Sequence, residues 1–363
     1  MHPQRLLLGP GPSNPYPEVM EAMARPVVGH LDPAFLAVLD ETAARLRSVM
    51  KTGNGLTLPV SGTGSAGMEA CLVNLLEPGD TAIVGVNGVF GERMCEVARR
   101  CGAEVVRVEA EWGRALDPQA LIDAQEATPG ARIVATVHAE TSTGVRNDIE
   151  PLASFQETGT LLVVDAVTSL GGIPLEVDAW GIDACYSGTQ KCLGVPPGLA
   201  PVTFSERARQ RVAERDTPPQ SWYLDLGLIG SYVGAERRYH HTAPISMVYA
   251  LHAGLGVLLD EGLEASFERH RSVGSELQAA LEDRGFRLIA QGGHRLPQLT
   301  FVELPDGADE AKLRTALREE FDVEVGAGLG AFAGRAWRIG LMGHSARRSS
   351  VVALLGALDE LLG

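Results

Sequence analysis

Short apolar runs alternate with amphipathic stretches over the first 200 residues, and this alternation limits the possible folds more than any other feature. The apolar runs are continuous, which is typical of strands that are buried on both faces. They cover residues 56–60, 82–86, 105–108, 133–137, 161–165 and 202–204. Helices are expected between them, including 91–100, 118–126 and 151–158. The pattern predicts an α/β unit with a mainly parallel sheet, whose ligands bind at the carboxyl ends of the strands.

The pattern changes after residue 204. Two long helices fit residues 245–260 and 263–284. A smaller α+β unit follows, with strands expected at 287–290, 298–302 and 337–341 and helices at 308–320 and 346–362. We therefore expect a large domain over residues 1–259, with an N-terminal arm at 1–20, and a small C-terminal domain over 260–363.

Charge and cysteine content exclude several classes of protein. The chain has 46 acidic and 31 basic side chains, so it lacks the positive charge of a nucleic-acid-binding protein. No apolar run approaches the length of about 20 residues that crosses a membrane. The five cysteines are odd in number and show no C-x-x-C spacing. They indicate reduced thiols in a cytoplasmic enzyme, rather than a disulfide framework or a zinc site.

A glycine-rich loop, Ser61-Gly-Thr-Gly-Ser-Ala-Gly67, lies between a predicted strand and a predicted helix. It contains GxGxxG, but a dinucleotide site also needs an acidic residue about 20 positions on, and the next strand runs into Val86-Asn87-Gly88. It also lacks the Gly-Lys-Ser/Thr end of a P-loop. One interpretation remains a phosphate cup, made of helix N-terminal N–H groups and the hydroxyls of Thr63 and Ser65. The other is a structural glycine turn.

Two charged residues stand in places where charge is unusual. Asp165 ends a buried strand, where a carboxylate needs a cation or a hydrogen-bond donor, and a structural arginine would also serve. Only three of the 31 basic residues are lysines. Lys51 and Lys312 have polar neighbours, whereas Lys191 follows a loop of small residues and precedes an apolar segment. A phosphate cup, an amine and a strand-end carboxylate are together what pyridoxal 5′-phosphate requires.

These features belong to a set of segments that resembles the class V aminotransferases of fold type I, in their alanine–glyoxylate and serine–glyoxylate branch. The matching segments span almost the whole chain. They are Gly9-Pro-Gly-Pro-Ser13, Ser61-Gly-Thr-Gly64, Leu76-Glu-Pro-Gly-Asp80, Asn87-Gly88, Glu140-Thr-Ser-Thr-Gly144, Asp165-Ala-Val-Thr-Ser-Leu-Gly-Gly172, Tyr186-Ser-Gly-Thr-Gln-Lys191, Tyr239-His-His-Thr242 and Trp337-Arg-Ile-Gly340.

The resemblance implies a large domain with a mainly parallel seven-stranded sheet, a smaller α+β domain, and the following site. Lys191 would form the Schiff base with pyridoxal 5′-phosphate, and Asp165 would face the pyridinium nitrogen. The other implied cofactor contacts are Thr63, Gly64, Ser65 and Gln190 at the phosphate, Phe90 and Val167 on the two ring faces, and Thr141 near the ring hydroxyl. Arg338, with the Gly11 backbone nearby, would hold the substrate carboxylate.

The resemblance also implies a homodimer with shared sites, in which Tyr239 and Thr242 reach the phosphate of the other subunit. Packing within their own chain is the alternative. His240 and His241 form a pair without a third metal ligand at a usual spacing, so a structural role is expected. Arg338 could instead form a salt bridge on the small domain.

The implied activity is transamination of alanine or serine with glyoxylate. Transfer from (S)-ureidoglycine to glyoxylate is an alternative within the family, and a nicotinamide-dependent oxidoreductase is the alternative from another class. A cysteine desulfurase needs a reactive cysteine on the small domain, but the last cysteine is Cys192. The chain departs from the animal members at Phe90 (Trp there), Thr141 (Ser) and Ser65 (His), and each departure keeps the chemistry that cofactor binding needs.

Overall fold

The alternating strands and helices form one seven-stranded sheet with helices on both faces. The structure is a computed structural model that describes residues 4–234 and 236–363. Its strands are β1 (Leu6–Leu8), β2 (Leu56–Ser61), β3 (Thr81–Val86), β4 (Glu104–Glu109), β5 (Ile133–Val137), β6 (Ala139–Glu140), β7 (Val145–Arg146), β8 (Leu161–Asp165), β9 (Ala184–Tyr186), β10 (Leu199–Phe204), β11 (Arg287–Leu288), β12 (Leu299–Glu303), β13 (Val323–Ala327) and β14 (Ala336–Gly340).

The helices cover both faces of that sheet and one further sheet. They are α1 (Pro17–Met23), α2 (Pro33–Met50), α3 (Gly64–Leu75), α4 (Val89–Arg100), α5 (Pro118–Ala127), α6 (Glu206–Ala213), α7 (Leu226–Val233), α8 (Ile245–Glu261), α9 (Leu263–Glu282), α10 (Glu310–Glu320) and α11 (Arg348–Leu362). Short 3₁₀ helices lie at Glu150–Glu157, Gly330–Phe332 and Gly343–Ser345.

The large sheet has the strand order β2-β10-β9-β8-β5-β3-β4. Only β10 runs antiparallel to its neighbours, β2 and β9. The predicted α/β class and mainly parallel seven-stranded sheet are therefore confirmed. As a result, the carboxyl ends of β2, β8 and β9 lie along the same edge of the sheet.

Strand β8 shows why the apolar runs are continuous. Leu162 and Val164 belong to a core that includes residues of α2 and α8, whereas Leu161 and Val163 belong to a second core with residues of α3 and α4. Alternate side chains of a strand point to opposite faces, so both faces need apolar residues. The same alternation places Asp165 on the face that α3 covers.

A second sheet, with the order β1-β13-β14-β12-β11, carries the C-terminal core together with α9, α10 and α11. Its strand β1 comes from the N-terminus and pairs in parallel with β13. The N-terminal arm at residues 1–20 is predicted to belong to the large domain. Residues 6–8 of this arm lie in the second sheet, and the buried Leu8 packs in the core of that sheet. Residues 1–3 of the arm lie outside the described residues. The division at 259/260 stays a prediction; α8 and α9 meet at Gly262.

Several parts of the chain differ from the sequence-based expectation, including β1 and the helices α1, α2, α6 and α7, which were not predicted. The segment expected as a helix at 151–158 is the 3₁₀ helix Glu150–Glu157. Its buried residues Leu152 and Phe155 are three positions apart, which suits the three residues per turn of a 3₁₀ helix. Strand β13 was not predicted. No helix within residues 4–234 and 236–363 combines the length and apolarity of a membrane span.

Two helix-interior glycines give a matched test of the packing. A Cβ at Gly274 of α9 would collide with the carbonyl oxygen of Pro297, whereas one at Gly356 of α11 would meet no atom within 4 Å. Gly274→Ala should therefore lower the free energy of unfolding by about 1–3 kcal/mol. Gly356→Ala should raise it by about 0.5–1 kcal/mol, because alanine favours helix. Urea unfolding followed by circular dichroism measures both; equal effects would contradict the packing at Gly274.

Candidate active site

The predicted phosphate cup begins where β2 ends. Thr63 is the residue before α3, and its side chain makes no capping hydrogen bond to the helix. The first N–H groups of a helix need acceptors, and an anion can supply them. The helix start also packs closely on the loop after β8, because a Cβ at Gly64 would lie 2.9 Å from Val167 Cγ2. Gly64 therefore allows the cup to lie against the loop that follows Asp165.

Gln190 lies near this cup, in the loop after β9. Its side-chain oxygen Oε1 is buried and lacks a hydrogen-bond partner among the described residues. A Cβ at Gly188 would lie 2.9 Å from that oxygen, and one at Gly64 would lie 3.7 Å from Gly188 Cα. The Gln190 amide is thus close to the cup and free to bond a ligand there.

Asp165 ends β8 with its carboxylate almost fully buried. It accepts hydrogen bonds from the Val167 N–H and the Tyr186 hydroxyl, both 2.8 Å long. Asp165 and Tyr186 are register partners on the parallel strands β8 and β9. Burial raises the pKa of Asp165 to about 7, although both hydrogen bonds lower it. Among the described residues no arginine forms an ion pair with this carboxylate, so the structural alternative of an arginine partner does not apply.

Lys191 lies close to Asp165, with only 8% of its surface exposed. Burial lowers the pKa of its amine to about 8, and the charge of Arg338 lowers it further, while Cys192 and Asp165 raise it. Its Nζ donates to the Pro10 carbonyl. A Cβ at Gly11 would lie 2.5 Å from the same Nζ. Gly11 also has a φ of 110°, a conformation that residues with a side chain rarely adopt, so a glycine is needed where the N-terminal segment passes the amine.

The other two lysines have the environments that the sequence indicates. Lys51 forms ion pairs with Glu176 and Glu264, and Lys312 is exposed. Lys191 alone among the three is buried. Ser13 holds the backbone of its loop, because the Ser13 hydroxyl donates to the Lys191 carbonyl at 2.9 Å.

Phe90 and Thr141, the predicted ring contacts, are fixed by buried polar groups. The Phe90 N–H donates to Glu140 Oε2 at 3.2 Å, and the Glu140 carboxylate also accepts from the Ser142 hydroxyl. Burial raises the pKa of Glu140, which is fully enclosed. The Thr141 hydroxyl is hydrogen-bonded to that of Thr168. Hydrogen bonds within the chain therefore fix the backbone of Phe90 and the side chain of Thr141.

Arg338 lies on β14 of the second sheet, between β12 and β13. Its Nε donates to the Ala327 carbonyl at 3.0 Å. No ion pair within the described ranges includes it, in contrast to the salt bridge considered above. Burial lowers the pKa of Arg338 and the charge of Glu140 raises it, while Arg338 itself acts on Lys191. The structure therefore brings this guanidinium towards the amine with its terminal nitrogens available.

One residue of the segment Tyr239–Thr242, His241, contacts the glycine-rich loop of its own chain. His241 Nε2 and Ser61 Oγ are hydrogen-bonded at 2.8 Å, and His240 packs on Trp222 with ring centroids 4.3 Å apart. Tyr239 and Thr242, in contrast, are exposed. Neither histidine belongs to a group of three metal-binding side chains in the part of the chain that is described.

Sequence reasoning missed two positioning residues. Tyr186 was part of a matched segment, but its bond to Asp165 depends on the register of two strands. Glu140 lies three residues after the end of the buried strand β5, much as Asp165 lies at the end of β8. An acidic residue in such a place was a signal that could have identified it.

Pyridoxal 5′-phosphate fits the residues that converge here. The uncapped helix start and the buried amide of Gln190 offer donors to a phosphate, since a half-turn of the amide exchanges Oε1 for Nε2. A buried carboxylate without a cation suits a pyridinium nitrogen, and a buried amine with a lowered pKa suits attack on a carbonyl.

Comparison with known proteins identifies the family. The family model described as Aminotransferase class-V matches residues 8–350. An (S)-ureidoglycine–glyoxylate transaminase of Bacillus subtilis is 39% identical over 99% of this chain and 91% of its own length. An alanine–glyoxylate aminotransferase of Drosophila melanogaster is 38% identical over 99% of this chain and 93% of its own. The crystal structure of an alanine–glyoxylate aminotransferase from Nostoc sp. superposes with a TM-score of 0.98 at 48% identity, covering 100% of this chain and 96% of that one.

The raised pKa of Asp165 makes the stability of the cofactor-free protein depend on pH. The folded chain keeps a proton up to about pH 7 that the unfolded chain releases near pH 4, so this group lowers stability as the pH rises between these values. Asp165→Asn removes the effect. We expect the variant to exceed the wild type by about 4 kcal/mol at pH 8, which is about three pKa units at 1.4 kcal/mol each, and to match it at pH 4. Urea unfolding at both pH values measures this; a difference independent of pH would contradict it.

Proposed function

This chain belongs to the class-V aminotransferase family, and from that premise we propose that it transfers the amino group of alanine or serine to glyoxylate. The products would be glycine and pyruvate or hydroxypyruvate. One observation carries the proposal: the buried Lys191 amine, whose pKa is lowered to about 8, lies against Pro10 and Gly11. The proline and glycine that border the amine carry no bulky polar side chain, which favours small substrates.

Pyridoxal 5′-phosphate is the cofactor, and when bound it supplies a carbonyl that takes up the amino group and a ring that accepts an electron pair. The lowered pKa lets Lys191 lose its proton near neutral pH, so that its amine can remove the proton at the substrate α-carbon and later return it. The Asp165 carboxylate would hold a proton at the ring nitrogen, since the two would carry opposite charge. Tyr186 positions that carboxylate.

The substrate carboxylate is assigned to Arg338. Its Nε is already bonded to the Ala327 carbonyl, which leaves the two terminal nitrogens for a bidentate contact with a carboxylate. A substrate held between Arg338 and the amine would present its α-carbon to Lys191.

Transfer from (S)-ureidoglycine to glyoxylate is the second candidate. The 39% identity to a transaminase named for that reaction supports it as well as the 38% identity to an alanine–glyoxylate aminotransferase supports the first. Both candidates share glyoxylate as the acceptor. The choice of donor is therefore the question that an assay has to answer.

We expect the purified protein to form glycine from glyoxylate with alanine or serine in a panel of amino donors. Lys191→Ala should lower this rate by several orders of magnitude, because nucleophile and base are lost together. Lys51→Ala is the matched control and should keep the wild-type rate. Borohydride reduction and peptide mapping should attach the cofactor to Lys191. Attachment at Lys51 or Lys312 would refute the assignment, and activity with (S)-ureidoglycine alone would favour the second candidate.

We further propose a homodimer in which Tyr239 and Thr242 complete the cup of the partner. The support is an exposed apolar surface around them: Val27, Leu31, Trp222 and Tyr223 are 62%, 45%, 63% and 43% exposed, and Tyr239 is 57% exposed. His30 joins this surface, since its ring lies 5.2 Å from that of Tyr239. Apolar surfaces of this kind are typical of protein interfaces. Association would bury this one.

Mixing two inactive variants tests the shared site. One chain carries Lys191→Ala, and the other carries Tyr239→Phe with Thr242→Ala. If Tyr239 and Thr242 act across the dimer, each mixed dimer contains one intact site, and activity returns to about a quarter of the wild-type value after random reassortment, because half of the dimers then have one of two sites. If they act within their own chain, every site keeps a defect and no activity returns.

The compartment is also a proposal. The five cysteines are buried and unpaired in the fold. Five reduced thiols suit the cytoplasm, where disulfides are rare. We therefore propose a cytoplasmic enzyme.

A further inference from the structure

Arg93 links two of the predicted cofactor contacts. It lies in the first turns of α4, and its guanidinium carbon is 5.0 Å from the centroid of the Phe90 ring. Its Nη1 donates to the Ser65 hydroxyl at 3.2 Å. One side chain thus contacts both the residue proposed to stack on the cofactor ring and a residue of the phosphate cup.

Apart from Arg93, the proposed cup offers no positive charge to balance the negative charge of a phosphate. The proposed phosphate contacts, Thr63, Gly64, Ser65 and Gln190, are all uncharged, whereas a phosphate monoester carries about −1.5 to −2 at pH 7. A cation near such a group gives stronger, charge-assisted hydrogen bonds. Among the described arginines and lysines, only Arg93 has a side-chain hydrogen bond to one of these four residues.

The charge of Arg93 is also available, unlike that of Arg100 and Arg107. Arg100, on the same helix, pairs with Glu96, and Arg107 pairs with Glu92 of that helix. No carboxylate lies within ion-pair distance of Arg93 in residues 4–234 and 236–363. The Phe90 ring holds the guanidinium in place instead, because a cation is attracted to an aromatic face.

We propose that Arg93 is the cationic member of the phosphate cup and raises the affinity for the phosphate of the cofactor. It reaches the cup from the Phe90 face on which its guanidinium lies, which leaves the opposite face of the ring for the cofactor. Holding the guanidinium on Phe90 reduces the conformational freedom that it loses when the phosphate binds. This inference rests on the proposed function.

Comparing two ligands separates a role at the phosphate from a role at the ring. Dissociation constants are measured by fluorescence quenching for pyridoxal 5′-phosphate and for pyridoxal, which lacks the phosphate. Arg93→Gln should weaken binding of pyridoxal 5′-phosphate about tenfold, as expected for one lost charged hydrogen bond, and that of pyridoxal less than twofold. Arg93→Lys keeps the charge and should stay within about threefold of the wild type. Arg100→Gln, the matched control on the same helix, should change neither constant.

Ionic strength gives a second readout that a structural role would not alter. Added potassium chloride should weaken binding of pyridoxal 5′-phosphate more in the wild type than in Arg93→Gln. Equal losses for the two ligands, or no loss for either, would overturn the inference, because Arg93 would then act only through Phe90 or not at all. A wild-type protein that binds neither ligand would overturn the proposed function instead.

Discussion

The carboxylate of Asp165 is buried at the end of β8, and the two groups that bond it, the Val167 N–H and the Tyr186 hydroxyl, are uncharged. Burial without a counter-charge destabilises the ionised form. Lys191 lies under the same constraint, since burial lowers the pKa of its amine. Both groups are therefore shifted towards their neutral forms. A bound pyridinium ring would restore the charge of Asp165 while the amine of Lys191 remained able to act as a base.

This arrangement depends on a sheet that is covered on both faces. Because helices pack on either side, the end of β8 is excluded from water. Because β8 and β9 are parallel neighbours in register, Asp165 and Tyr186 lie side by side. Strands β2 and β9 are both antiparallel to β10, which lies between them, so they run in the same direction. The cup after β2 therefore lies along the same edge of the sheet as the Asp165 carboxylate. The direction of the strands thus brings together residues that are far apart in the sequence.

Local sequence patterns predicted those strands and helices whose apolar residues lie within one short segment. The expected strands at 133–137 and 161–165 have the observed bounds of β5 and β8, and the long helices at 245 and 263 begin where expected. Such patterns could not predict which distant segments pair as strands of one sheet. The three residues of β1 join β13 near the other end of the chain, which no local periodicity indicates. The 3₁₀ helix at Glu150–Glu157 has helical spacing, but its hydrogen-bond geometry is set by packing.

The candidate site shows the same division between what the sequence indicates and what only the fold reveals. Residues with distinctive chemistry, such as Lys191 and Asp165, stood out because a charge next to apolar sequence needs a reason. The groups that support them did not stand out. Glu140 holds the Phe90 backbone and Ser13 holds the Lys191 loop, and both contacts join segments that only the fold brings together. Polar residues of ordinary type reveal such roles only through their partners.

The use of lysine and arginine in this site follows from the same burial. Burial lowers the pKa of Lys191 to about 8, which permits the neutral amine near physiological pH. It also lowers the pKa of Arg338, but guanidinium starts so far above neutrality that the side chain stays charged. One apolar environment can therefore hold a base that loses its proton beside a cation that does not. A chain with three lysines among 31 basic residues has one of them buried. Our proposals place it where a proton must leave, and they place arginines where a permanent positive charge would face a carboxylate or a phosphate.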